Sequence, residues 1–170
     1  MMRKLLNWLY SAAEVLAAVC MVGVLVSVLT SILSRQLAFH VSGLDAYAGY
    51  FMASAGFLAL ASTLRHGEHI RVTLVLNALA PAGKRRLDIA AIAVGVAIAV
   101  SLAFFSTKLV VDSWMFNDIS TSNDATPLWI PQIGMAAGNI LLLIAFIDLL
   151  ISRIRGDESS TDTQEQQRHE

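Results

Sequence analysis

The sequence predicts an all-α integral membrane protein with four transmembrane helices and a short amphipathic interfacial helix between the second and third of them. Of its 170 residues, 56% are hydrophobic and only 15% are charged, whereas soluble domains carry about 25% charged residues. Four runs are free of Asp, Glu, Lys and Arg, and each approaches the ~20 residues that a helix needs to cross ~30 Å of hydrocarbon. These runs are 15–34, 46–64, 89–107 and 125–147.

The transmembrane segments are expected to form one domain over residues 1–155. Arg3 and Lys4 before the first segment would also suit a secretory signal, but the apolar run is long for a signal and no small-x-small cleavage site follows Leu33. Helices of a soluble bundle would show a polar face along their length, which these runs lack. We predict spans at about 12–34, 45–64, 88–111 and 130–151.

Lys and Arg are distributed unevenly among the connections, and this distribution predicts the orientation. Ten of the 12 lie before the first span, between the second and third, or after the fourth, and Arg35 and Lys108 are the other two. Because basic residues are enriched in cytoplasmic segments, both termini are predicted to be cytoplasmic. The segment 156–170 has no apolar residue to bury, so we predict a disordered cytoplasmic tail.

Residues 64–72, LRHGEHIRV, place a cluster of titratable side chains between two apolar stretches. On the predicted cytoplasmic side, Arg65, His69 and Arg71 hold this corner in the polar zone of the membrane surface. Gly67 can supply a bend because glycine tolerates unusual backbone angles. The segment is therefore predicted to be an elbow between a vertical helix and a flat one.

An apolar stripe follows the elbow at helical spacing and ends at Pro81. The run is too short to span the bilayer, so we predict an interfacial helix over about 70–80, with its apolar side toward the bilayer and the basic flank 84–86 toward anionic headgroups. A cytoplasmic extension of a neighbouring span is the alternative. The stripe consists of Val72, Val75, Leu76 and Leu79.

The connection between the third and fourth spans is acidic and rich in turn-forming residues. Pro127 and Pro131 bracket Trp129 there, and tryptophan rings are enriched at headgroup level. Trp129 is therefore predicted to anchor the fourth span at the membrane surface, with a specific partner contact as the alternative.

Ionisable residues at mid-depth are the usual sign of chemistry inside a bilayer because they are costly there, and the predicted spans have none in their interiors. Cys20 is the only cysteine, which excludes an intramolecular disulfide and multi-cysteine metal sites. No glycine-rich phosphate loop, nucleophile motif or nucleic-acid-binding patch is present. We therefore predict no catalytic residue, cofactor, metal or nucleic-acid partner. The charges nearest the spans lie at or near their ends: Glu14, Asp45, Asp88, Lys108, Asp112 and Asp148.

Haem is the cofactor that a four-helix membrane anchor would hold, through histidines on facing helices. The four histidines do not place two ligands at the same depth on different spans, so haem is disfavoured. They are His40, His66, His69 and His169.

Small residues at intervals of four predict close packing between helices. Ala91, Gly95 and Ala99 form such a row on the third span, and Gly134 and Gly138 form a GxxxG motif on the fourth. Small residues let backbones approach where lipid provides no hydrophobic drive. We predict that the helices dock within the chain and against a larger membrane partner. A second row on the third span competes with the first: Ala93, Ala97 and Ser101.

Asn139 is the most polar residue well inside a predicted span. We predict that it forms an interhelical hydrogen bond, which is worth around 1 kcal/mol in membrane proteins.

In the order and spacing of these elements, the chain resembles the small membrane subunit, DctQ type, of bacterial tripartite ATP-independent periplasmic (TRAP) transporters. The resemblance runs from Asn7 to about Arg155. It is carried by Arg35 just after the first span, Asp45 at the start of the second, the elbow RHGEHIRV and the PLWIP entry to the fourth. Many members have Glu in place of Asp45 and Asp in place of Thr73, and the second difference removes a charge near the elbow.

The resemblance implies a non-catalytic scaffold subunit of a sodium-coupled secondary transporter that imports an organic acid. In that family a periplasmic substrate-binding protein delivers the acid to a large membrane subunit, which holds the substrate and sodium sites and moves as an elevator. The implied partners are this large subunit, the binding protein and the lipid bilayer of the bacterial inner membrane. Arg35, Asp45 and Trp129 would face the binding protein, while His69 and Arg71 would fix the cytoplasmic elbow.

Two other functions stay open on the sequence. A membrane-anchor subunit of a respiratory enzyme would bind haem or a quinone. A self-contained small transporter would need ionisable residues at mid-membrane, which these spans lack.

Overall fold

Four long α-helices make up most of the chain. The computed structural model describes residues 2–37, 41, 43–65, 81–122 and 124–155. All four helices are long and apolar enough to cross a membrane, which confirms the predicted all-α membrane fold. The predicted interfacial helix over 70–80 and the tail 156–170 lie outside the described residues. The helices are α1 (Met2–Gln36), α2 (Leu44–Arg65), α3 (Pro81–Met115) and α4 (Trp129–Arg155).

Two of the helices are longer than a bilayer requires. α1 and α3 have 35 residues each, or about 52 Å at 1.5 Å per residue. They begin before the predicted spans because Arg and Lys suit a helix well, although they do not suit hydrocarbon. α3 begins at Pro81, where the missing N–H of proline costs no intrahelical hydrogen bond.

Charged residues bound the apolar part of three helices at nearly constant separation. The two residues of each pair are 20 or 21 positions apart, which is about 30 Å along a helix. This length equals the hydrocarbon thickness of a typical bilayer, so these helices can cross it with little tilt. The pairs are Glu14 and Arg35 on α1, Asp45 and Arg65 on α2, and Asp88 and Lys108 on α3.

The helices contact one another in the order α1, α2, α4, α3. α2 and α4 are therefore the central pair, with α1 against α2 on one side and α3 against α4 on the other. In an apolar stretch of 18 residues within each span, between 17% and 28% of the residues are buried within the chain. Most of the apolar surface is thus left for lipid or for other membrane proteins.

The contact face of α1 follows a regular stripe. Its buried residues are three, four or seven positions apart, a spacing typical of left-handed helix packing. Tyr10 packs with Ala61 of α2 and Ala145 of α4, and Leu58 of α2 packs one turn further along. The stripe consists of Tyr10, Ala13, Ala17, Cys20, Ser27 and Ser34.

The end of α3 has a cap that turns the chain back toward α4. The N–H of Asp118 donates to the carbonyl oxygen of Ser113 at 3.0 Å, and that of Asn117 donates to Trp114 at 3.4 Å. Asn117 has a positive φ of 51°, as the residue after a helix has in this motif. The connection then folds on itself through an antiparallel bridge between Ile119 and Pro127. We call the end of the molecule that carries this connection the hairpin end.

Candidate functional site

The GxxxG motif of α4 lies directly against α2. A methyl group added to Gly138 would overlap the carbonyl group of Phe57 and lie 2.8 Å from the nitrogen of Leu58. A methyl group on Gly134 would overlap the side chain of Ser54, with its Cβ at 2.8 Å. Because the three atoms nearest Gly138 all belong to the backbone, only glycine permits this α2–α4 distance.

The α3–α4 contact uses one row of small residues on α3. A methyl group on Gly95 would lie 2.5 Å from the ring of Phe146, and Ala99 is 1% exposed. Ala103 is buried one turn further on. Ala91 is exposed, so a packing role for it would involve a surface outside these four helices. The competing row is exposed as well: Ala93, Ala97 and Ser101.

At the hairpin end, an exposed ion pair links the end of α1 to the start of α2. The Nη2 of Arg35 is 3.5 Å from the Oδ2 of Asp45, and their side chains are 74% and 81% exposed. The hydroxyl of Ser31 donates to the Oδ1 of Asp45 at 3.1 Å. Exposed pairs of this kind contribute about 1 kcal/mol or less to stability. The fold therefore depends little on this pair.

A hydroxyl network fastens the connection after α3 to α2. The Tyr50 hydroxyl lies 2.9 Å from the Oγ of Ser120 and 3.1 Å from the Oδ2 of Asp124. Since a phenol has a single proton, Tyr50 donates to one of these two oxygens at a time, and the carboxylate is the stronger acceptor. The Oγ1 of Thr126 is 3.3 Å from the Tyr47 hydroxyl, which adds a second link to α2.

This network also affects the charge of Asp124. The Thr126 hydroxyl is the largest cause that lowers the pKa of Asp124, and Ser120, the backbone and Tyr50 act in the same direction, while burial raises the pKa. The net pKa lies below the ordinary value, because hydrogen bonds stabilise the charged form. Asp124 is therefore a carboxylate at neutral pH.

Gly43 brings the first connection against the third. Its φ is +87°, a conformation that residues with a side chain rarely adopt. A methyl group there would lie 2.6 Å from the Cβ of Asp124 and 3.1 Å from its Cα. Sequence reasoning missed Gly43, Tyr50 and Asp124. The sequence signal that could have indicated this contact is the glycine just before the start of α2.

Aromatic side chains surround the same end. Trp129 is half-buried at the start of α4, while Trp114 and Phe116 are 64% and 74% exposed at the end of α3. Rings of this kind are enriched where hydrocarbon meets headgroups. Together with the charged residues, they place the membrane boundary at the hairpin end.

At the opposite end, a polar contact joins α1 to α2. The hydroxyl of Ser62 donates to the Oε1 of Glu14 at 2.6 Å. Arg65 is the last residue of α2, and its side chain lies outside the described part of the chain, as do the histidines at 40, 66, 69 and 169. Besides His69, the predicted elbow and interfacial residues outside the described part are Arg71, Val72, Val75, Leu76 and Leu79.

A groove of about 440 Å³ runs along the membrane face between α2, α3 and α4. Its lining includes Phe57, Leu102 and Phe105, with Asn139 among the deepest residues. Asn139 is 2% exposed, and its Oδ1 has no hydrogen-bond partner. The predicted interhelical hydrogen bond of Asn139 is therefore absent among the residues that the structure describes.

Helices with charge-free segments of bilayer length, small-residue contacts and a boundary marked by aromatic rings define a multi-pass membrane protein. In the described ranges, no group of three His, Cys, Asp or Glu residues is placed to hold a metal ion. The family described as "Tripartite ATP-independent periplasmic transporters, DctQ component" matches residues 24–156. This match covers well over half of the chain, and the protein belongs to that family. A comparison with curated proteins gave no match.

Proposed function

We propose that this chain is the non-catalytic scaffold subunit of a TRAP transporter that imports an organic acid with sodium. One observation carries the proposal: the four segments at hydrocarbon depth contain no Asp, Glu, Lys or Arg. A transporter that moves an anion needs dipoles or charges at mid-membrane to hold it and its coupling ion. The substrate and sodium sites therefore belong to another subunit, and this chain supports that subunit.

The helix arrangement supports a role as a fixed frame. Glycine-mediated contacts such as that of Gly138 with Phe57 and Leu58 leave little freedom between α2 and α4. The open order of the helices leaves long apolar faces that a partner can cover. A moving transport domain needs such an anchored surface to slide against.

The two ends of the molecule are proposed to have different partners. With both termini in the cytoplasm of a bacterial inner-membrane protein, the hairpin end faces the periplasm, where Arg35, Asp45 and Trp129 would contact a substrate-binding protein. The elbow at Arg65, His69 and Arg71 would then lie at the cytoplasmic surface. The interfacial helix would brace the large subunit from that side through its apolar stripe of Val72, Val75, Leu76 and Leu79.

Sodium-driven uptake in proteoliposomes tests the scaffold function. Vesicles with the large membrane subunit, the binding protein and this chain should accumulate the organic acid when sodium is supplied outside. Vesicles that lack this chain should not, and vesicles with this chain alone should be inert. Full uptake without this chain would refute the scaffold role, and uptake by this chain alone would show that it carries the substrate itself.

A further inference from the structure

We propose that the groove between α2, α3 and α4 receives the side chains of one transmembrane helix of the large membrane subunit, and that this helix forms a hydrogen bond with the Asn139 amide. The inference rests on the proposed function, because it assumes that such a subunit binds this chain. It assigns a particular surface and a particular residue to that contact.

Asn139 lies near the middle of the bilayer. It is ten residues after Trp129, which begins α4, and nine before Asp148, the acidic residue near the other end. At 1.5 Å per residue it is about 14–15 Å from either position, which is half the hydrocarbon thickness. Neither headgroups nor bulk water reach this depth to satisfy an amide.

The amide is buried and has no partner within the described residues. Asn139 is 2% exposed and its Oδ1 accepts no hydrogen bond. A buried polar group without a partner costs about 1–3 kcal/mol, and none of the described residues donates a hydrogen bond to this oxygen. Asn139 lines the groove, and its amide group has both an acceptor and donors, so a single polar side chain seated in the groove can satisfy it once the amide turns toward that side chain.

The groove gives a partner access to the depth of Asn139. On α3 its lining extends from Leu102 to Asp112, or about 15 Å along the helix. A volume of about 440 Å³ spread over this length leaves a mean cross-section of roughly 30 Å², which is too narrow for a whole helix of 10–12 Å diameter. It suits the ridge of side chains that one helix inserts between the ridges of another.

The mouth of the groove has two charges that are not paired with each other. Lys108 and Asp112 both line it, and no ion pair joins them in the part of the chain that the structure describes. They lie at the membrane boundary of the hairpin end, where a partner helix also ends. Polar groups at the end of that helix can therefore pair with them.

A lipid is the other occupant that the groove could take, and the depth of the amide argues against it. Lys108 and Asp112 would suit a zwitterionic headgroup. However, the acyl chain that would follow has no hydrogen-bonding group, so it would cover Asn139 and leave the amide unpaired. A helix with a polar side chain can pair with the charges at the mouth of the groove and also form a hydrogen bond with the amide of Asn139.

The test compares Asn139→Leu with the wild type in the binding of the large membrane subunit, both reconstituted as full-length chains in nanodiscs. We expect the apparent dissociation constant to rise about five-fold, the change that corresponds to about 1 kcal/mol. Ser101→Ala is the matched control, since the Ser101 hydroxyl is exposed and bonds only the carbonyl oxygen of Ala97 on its own helix. Binding by this control should equal that of the wild type.

The thermal stability of the isolated chain separates an interface role from a structural one. Asn139→Leu removes an unpaired buried amide, so the chain alone should be at least as stable as the wild type while its complex is weaker. Leu102→Trp fills the groove at a position that is 40% exposed and should also weaken the complex. A lower stability of the isolated Asn139→Leu chain together with unchanged binding would overturn the proposal.

The remaining outcomes distinguish the occupants. If both variants bind the large subunit normally but lose a co-purifying phospholipid in mass spectrometry, the groove is a lipid site and the inference is wrong. If they abolish self-association of the wild-type chain, the occupant is a second copy and the inference is equally wrong. If the wild type binds no large subunit at all, the proposed function itself fails. If the wild type binds the large subunit and both variants bind it equally well, only the assignment of the groove is refuted.

Discussion

The contact of Gly138 with α2 leads to a prediction whose size follows from the geometry. In Gly138→Ala, the new methyl carbon would overlap the carbonyl group of Phe57 and lie 2.8 Å from the nitrogen of Leu58. An ordinary contact for such a carbon begins at 3.4 Å. Backbone atoms of a helix cannot turn away, so α2 and α4 must separate by roughly 1 Å, which forfeits a quarter to a half of each contact energy across the interface.

We therefore expect Gly138→Ala to lower the free energy of unfolding by about 3 kcal/mol, the upper part of the range for overpacked interiors. Alanine stabilises a helix relative to glycine by about 1 kcal/mol. The measured loss of stability therefore equals the cost of the overlap minus this gain. The assay is unfolding of the purified chain in mild detergent by SDS titration, followed by circular dichroism.

Gly49→Ala and Gly56→Ala are the matched controls on α2. A methyl group at either position would meet no atom within 4 Å, so each variant should be as stable as the wild type or up to about 1 kcal/mol more stable. Equal stability of Gly138→Ala and these controls would refute the close α2–α4 approach.

Three further predictions concern the hairpin end. Tyr50→Phe removes the hydroxyl that bonds Ser120 and Asp124, so hydrogen exchange of the 118–128 amides should accelerate about five-fold, as expected for roughly 1 kcal/mol; unchanged protection would contradict the network. Because the pKa of Asp124 is lowered in the folded chain, its contribution to stability is present above the pKa of an unfolded aspartate, about 3.9, and is lost as the pH falls further toward the folded pKa. Unfolding measured between pH 6 and pH 3 should show this loss in the wild type and less of it in Asp124→Asn. Arg35→Ala and Asp45→Ala break an exposed ion pair, so unfolding should change by less than about 1 kcal/mol, and a large fall in substrate uptake with the fold intact would then report a contact with the binding protein.

The two small-residue rows of α3 show where sequence reasoning stops. The rows that contain Gly95 and Ala97 have similar composition, and the alanine-rich sequence does not distinguish which one faces another helix. The structure selects the row of Gly95 and Ala99, because Phe146 of α4 fits against the glycine. Asn139 is a similar case. Its polarity predicted a hydrogen bond to another helix. Whether a hydrogen-bond partner is within reach depends on where α2 and α3 place their side chains, and within the described chain there is none.

The sequence alone determined that this protein spans the membrane four times and belongs to a known type of transporter component. Both properties depend on how residues are ordered along the chain. Hydrocarbon excludes charge from each segment of ~30 Å, regardless of which other helices pack against that segment. Only the tertiary structure decided which helices touch, that Gly43 lies against Asp124, and that Tyr50 bonds residues 70 and 74 positions away. Such contacts depend on distances between backbones that are remote in sequence, and no local pattern records them.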